Sequence, residues 1–148
     1  MDCSARTAQL QPLTDQRAGG SLSGLPSELI AIGGFSKKAV SICEKYLTAC
    51  NKWRGLPPLK APRHLPGSAL LETKRAFCFC GHQPAYLNTI ESIQTDTEVK
   101  WKTVPLNEKV PKTFHLAVVS TSNKLVVFGG RSYHSLHSFI FSEEAELE

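Results

Sequence analysis

The chain has 148 residues, 41% of them hydrophobic, with 17 Lys and Arg against 13 Asp and Glu for a net charge of +4. That length suits one domain, and so small a charge does not argue for nucleic-acid binding. No apolar run approaches the roughly 18 residues of a membrane helix, and no basic start leads into an apolar secretory segment, so five cysteines read as reduced thiols in a cytoplasmic setting with no membrane partner.

Residues 1–26 are rich in Gln, Ser, Thr and Gly and are expected to be flexible or disordered, with Gly19-Gly20-Ser21 and Ser23-Gly24 reading as linker. From Ser27 the pattern becomes short strands. Leu29–Ile32 is an apolar run closed by Gly33-Gly34, and Phe35–Lys38 is a polar loop. Val40–Tyr46 alternates and favours a strand, Thr48–Lys52 reads as a turn, and Trp53–Leu56 is stopped by Pro57-Pro58.

A second unit repeats this order. Ser68–Leu71 and Ala76–Cys80 are strands ending at Gly81, His82–Tyr86 is a loop, and Leu87–Ile93 and Trp101–Val104 are strands. A third unit runs through Leu116–Val119, Lys124–Gly130 and Leu136–Phe141, and an acidic tail occupies 143–148. The second glycines, Gly34, Gly81 and Gly130, are 47 and 49 residues apart. A fixed period in that range marks a repeat architecture. Gly34 to Glu44 and Gly81 to Glu91 both span 10 residues, and each tryptophan is followed by Leu or Val and then Pro at one offset.

Paired glycines, an aromatic about twelve residues on and then Trp-x-x-Leu-Pro resemble the kelch repeat. The best match runs from Ile32-Gly33-Gly34 through Glu44-Lys45-Tyr46 to Trp53 and Leu56-Pro57; Cys80 stands for a glycine and Ile93 for the tyrosine. The resemblance implies an all-β chain, a partial β-propeller of four-stranded antiparallel blades. It gives a partial blade at 27–58, a full one at 62–106 and a partial one at 111–142, against four to eight blades in a closed propeller. A fragment or short isoform, an open fan, and a ring closed by several chains are the readings left open. Exposed blade edges offer a route to self-association. Trp53 and Trp101 are expected to cover apolar surface between blades, each worth about 3–5 kcal/mol. Cys80 is expected to be tolerated because only its successor needs a positive φ.

The resemblance implies a protein-interaction module, a substrate adaptor or a cytoskeletal scaffold. The alternatives are a propeller enzyme of oxidase or sugar-isomerase type, or a truncated form without independent function. No catalytic residue, cofactor or metal is assigned. Cys78-x-Cys80-x-His82 could converge on one strand face as metal ligands, but Cys78 and Cys80 align with core positions of the third unit and read as structural. His134 and His137 lack helical ligand spacing.

The loops expected on one face are strongly basic. Lys37, Lys38, His82, Arg131 and His134 fall in one loop set, and Arg63, His64 and Lys112 in the other. Tyr86 and Tyr133 lie among them and suit interface anchoring. Solvated surface lysines are the plainer reading. The functional one is a face for an acidic peptide segment, with Arg63 and Arg131 gripping carboxylates.

Overall fold

A computed structural model describes residues 10–106, 110, 112–121, 124–131 and 137–142, and no helix occurs among them. Fifteen strands follow in chain order. The first six are β1 (Ser21–Leu25), β2 (Glu28–Ile32), β3 (Phe35–Ser36), β4 (Lys38–Ala39), β5 (Cys43–Leu47) and β6 (Lys52–Leu56). The next six are β7 (Gly67–Leu70), β8 (Arg75–Phe79), β9 (His82–Gln83), β10 (Ala85–Tyr86), β11 (Ile90–Gln94) and β12 (Lys102–Thr103). The last are β13 (Phe114–Thr121), β14 (Lys124–Arg131) and β15 (His137–Ser142).

Three antiparallel sheets result. Sheet I has the order β1-β2-β5-β6, sheet II β7-β8-β11-β12 and sheet III β13-β14-β15. In sheets I and II a two-stranded hairpin, β3–β4 or β9–β10, is inserted between the second and third strands. None of the described sheets closes on itself.

Alternation along the second strands decides which sheet meets which. From β2, Ile30 and Ile32 point toward sheet II and join Leu70, Ala76, Cys78, Ile93 and Trp101 in one core. From β8, Phe77 and Phe79 point the other way and join Leu125 and Val127 of β14 in a second core. Sheet II is therefore apolar on both faces, and β8 reads as a continuous buried run instead of a strict alternation.

The linkers between sheets are tied by a recurring set of contacts. Arg63 lies ahead of β7, fully buried, and its guanidinium donates to Glu91 on β11 (2.8 Å) and to the carbonyls of Cys80 (2.6 Å) and Thr89 (2.9 Å). Arg17, ahead of β1, pairs with Glu44 on β5 in the same way. The Trp101 indole N–H donates to the Pro57 carbonyl and that of Trp53 to the Gln11 carbonyl, each at 2.8 Å. A backbone relay joins the linkers themselves: Leu65 N–H donates to Gly19 O (2.8 Å), and His115 N–H to Leu65 O (3.0 Å). Gly19, Leu65 and His115 share a left-handed conformation, with φ of 59°, 54° and 60°.

Several sequence expectations need correction. The described part of the N-terminal segment is not a linker: Ser21–Leu25 is the first strand of sheet I, paired along its whole length with β2. Its composition reflects crowding, because β1 packs against β7 of sheet II. The Ser21 and Ser68 hydroxyls are 2.6 Å apart, and a Cβ on Gly67 would sit 2.7 Å from Val118. Small residues at such contacts resemble linker composition when read alone. The third strands start later than expected, at Cys43 and Ile90, because Phe35–Ala39 and His82–Tyr86 fold into hairpins first.

The glycine pairs are required by both conformation and space. Gly33 and Gly34 have φ of 62° and 123°, and a Cβ on Gly33 would lie 2.5 Å from the Arg63 carbonyl. Cys80 also adopts a positive φ, 52°, so the expectation that only its successor needs one is corrected. The two units differ in length by one residue between Glu and Trp, and the extra residue falls in the turn at 95–100, where Val99 is 84% exposed.

Candidate functional site

The two inserted hairpins stand side by side and frame a groove of about 400 Å³. One wall is Phe35, Lys37, Lys38 and Ala39 of the β3–β4 hairpin, and the other is His82, Gln83 and Pro84 of the β9–β10 hairpin. Pro62 and His64, from the linker between sheets I and II, complete the lining. No carboxylate is among these described lining residues.

Local backbone chemistry sets both walls. Each hairpin begins directly after a left-handed pair and is closed by a return bond, Val40 N–H to Gly34 O (3.0 Å) and Leu87 N–H to Gly81 O (2.9 Å). Lys37 turns the first hairpin at φ 62°. The linker anchors the second: His64 and His82 exchange backbone hydrogen bonds of 2.9 and 2.8 Å. The groove therefore rests on main-chain pairing rather than on a free loop.

An aromatic strip runs through and beyond it. Phe35 is 42% exposed, and its ring lies 5.0 Å from His64. His82 lies 5.2 Å from Tyr86, which stacks on Phe114 at 4.9 Å. Burial holds the His64 pKa below its ordinary value, and the neighbouring His82 and His115 imidazoles push it the same way. His64 and exposed Phe35 give the lining apolar surface with hydrogen-bonding capacity, while exposed Lys37 and Lys38 place charge beside it.

No family model and no curated protein matches the chain.

The sequence-derived site divides under this geometry. Lys37, Lys38, His64 and His82 come together in the groove, and Tyr86 adjoins it through His82. Lys112 and Arg131 are exposed but do not line it. Tyr133 and His134 lie outside the described residues. Arg63 is corrected: with 0% exposure it grips Glu91 and two carbonyls inside the protein and cannot meet a partner's carboxylate. Its charge resembled a surface charge in sequence, and only the similar Arg17–Glu44 and Arg63–Glu91 separations, 27 and 28 residues, carried a signal of the pairing. Phe35, Pro62 and Phe114 are surface features that the sequence does not mark: Phe35 falls in a loop that reads as polar, and Pro62 and Phe114 are half-buried.

Cys78 and Cys80 do not converge. Cys78 joins the core between sheets I and II, and Cys80 the core between sheets II and III. The positive φ at Cys80 interrupts the strand alternation that would have aligned them. Among the described residues, no group of three or more His, Cys, Asp or Glu is placed to hold a metal ion. Also among them, no helix is long and apolar enough to cross a membrane.

Proposed function

We propose that the chain is a kelch-type β-propeller segment that acts as a protein-interaction module, holding an acidic peptide segment of its partner in the groove between the two hairpins. The observation that carries the reading is the groove itself: successive sheets bring Lys37, Lys38, His64 and His82 around exposed Phe35. Lysines at the rim would meet carboxylates, and Phe35 with the adjoining Tyr86 would meet an apolar side chain. The propeller reading is supported by the shared strand order of sheets I and II, the recurring Arg–Glu and Trp–carbonyl contacts, and the left-handed pairs after the second strands. Adaptor and scaffold roles both follow from such a module. Four described cysteines, all free thiols, agree with a reducing cytoplasmic setting.

Panning the purified chain against a displayed random-peptide library tests this. Enriched peptides should be rich in Asp and Glu, with an apolar residue at a fixed offset. Lys37→Glu combined with Lys38→Glu should weaken their binding at least about tenfold, with salt sensitivity lost. Enrichment of neutral or basic peptides, or unchanged binding by the double variant, would overturn the assignment.

A further inference from the structure

Among the described residues, sheet III leaves one face open. Val126 and Phe128 of β14 hold the register of Ile30 and Ile32 in β2 and of Phe77 and Phe79 in β8, four and two residues before the second turn residue. The first two pairs are 0% exposed because the next sheet covers them. Phe128 is 46% exposed, and Val119, which lies opposite Val126 on β13, is 53% exposed.

On the converse face of sheet I, Ala31, Glu44 and Tyr46 are buried, and the edge strand β1 leaves Leu22 open. Leu22, paired with Ala31, holds the register of Ser68 with Cys78 and of Val118 with Val127. In the later sheets that face meets the preceding sheet, and Cys78 and Val127 are fully buried; Leu22 is 62% exposed. The sheet III face and the Leu22 edge of sheet I thus correspond to the two halves of a contact that the chain makes twice within itself.

A second observation comes from the left-handed turns. At Gly33 the space beside Cα is taken by the carbonyl of Arg63, from the linker of the following sheet. At Gly129, its counterpart in sheet III, an added Cβ would meet nothing within 4 Å among the described residues. The linker equivalent to Arg63 that lies at an open face is the one bearing Arg17, already paired with Glu44 and so presenting no uncompensated guanidinium.

We infer that a second copy of this chain docks head to tail, its sheet I face with Leu22 and the Arg17 linker covering Val119, Phe128 and the space beside Gly129. The contact is heterologous, joining two different faces, so it either closes into a ring or propagates. Two copies bring six sheets, within the range of closed propellers. Closure at two copies rests on the propeller reading, whereas the head-to-tail contact does not.

Light scattering on size-exclusion fractions of the full chain tests both. The wild type should elute at twice the chain mass. Phe128→Asp and Leu22→Asp should each halve it, and Val119→Lys should do the same from a second position on the sheet III face, with circular dichroism matching wild type. An equimolar mixture of Phe128→Asp and Leu22→Asp should recover a dimer, because each variant keeps the half that the other lost. A monomeric wild type, or folded variants that stay dimeric, would overturn the contact. Failure of the mixture to recover a dimer would overturn its heterologous character. Polymers dissolved by the same substitutions would support the contact and overturn closure at two copies.

Discussion

Sheets I and II carry the same parts under different cover. Each has a linker arginine on a third-strand glutamate and a tryptophan on a linker carbonyl. Between sheets, Trp101 is fully buried and every terminal nitrogen of Arg63 has a partner, including Thr89 Oγ1 at 2.9 Å. At the open face, Trp53 is half-buried and Arg17 Nη2 is buried without a hydrogen-bond partner among the described residues. Ile42 stands where sheet II has Thr89. The repeated residues supply the clasp, Thr89 of the same sheet completes it around Arg63, and the neighbouring sheet adds the cover over Trp101.

Removing the arginines should separate sheets I and II most widely. Arg63→Ala strands Glu91 in the interior and is expected to cost about 3–5 kcal/mol in urea unfolding. Arg17→Ala should cost clearly less, since its own hydrogen bonding is already incomplete; equal losses would refute the distinction. Truncating the indoles should follow the same order. Trp101→Ala is expected to cost about 3–5 kcal/mol, and Trp53→Ala roughly half that, in the same assay.

The glycine turns sharpen the point at smaller scale. Gly33→Ala combines left-handed strain with a collision against the Arg63 carbonyl and should cost about 2–3 kcal/mol. Gly129→Ala has the strain without the collision and should cost about 1 kcal/mol by thermal melting. A pH series then reports on the clasp of sheet I. Burial pushes the Glu44 carboxyl up, but hydrogen bonds from Thr14 and Arg17 outweigh it and hold it below its ordinary value of 4.5. Its folded pKa being the lower one, Glu44 contributes stability above about pH 4.5 that is lost as pH falls through the folded value. Glu44→Gln should flatten that acid limb. The smallest expected effect is chemical: burial pushes the Cys43 and Cys80 thiols up to about 12 and raises that of Cys78, whereas Cys50 is exposed. Of these four, only Cys50 should react rapidly with a thiol reagent in the native state.

The all-β character and the positions of the second strands were legible because apolar runs and glycine turns recur at nearly fixed spacing. The first strand was not, since Ser21 and Ser23 are small for reasons of sheet approach that composition alone reads as flexibility. The left-handed linker position was equally hidden: Gly19, Leu65 and His115 share a backbone conformation but no side-chain type. For the site, charge pointed to Lys37, Lys38, His64 and His82, which do meet, and also to Arg63, which is interior. Loop charge reports where a side chain is attached, not whether a neighbouring unit folds over it.

The turn at 95–100 has a consequence for how such a chain tolerates change. It absorbs the one residue by which the two units differ, while the linker at 62–66 is pinned by Arg63, His64 and Leu65 on three separate partners. Val99 stands 84% exposed, and Glu98 and Lys102 close the turn's base by an ion pair four residues apart. Insertions and grafted tags therefore belong at Val99, where added length leaves the register between sheets untouched.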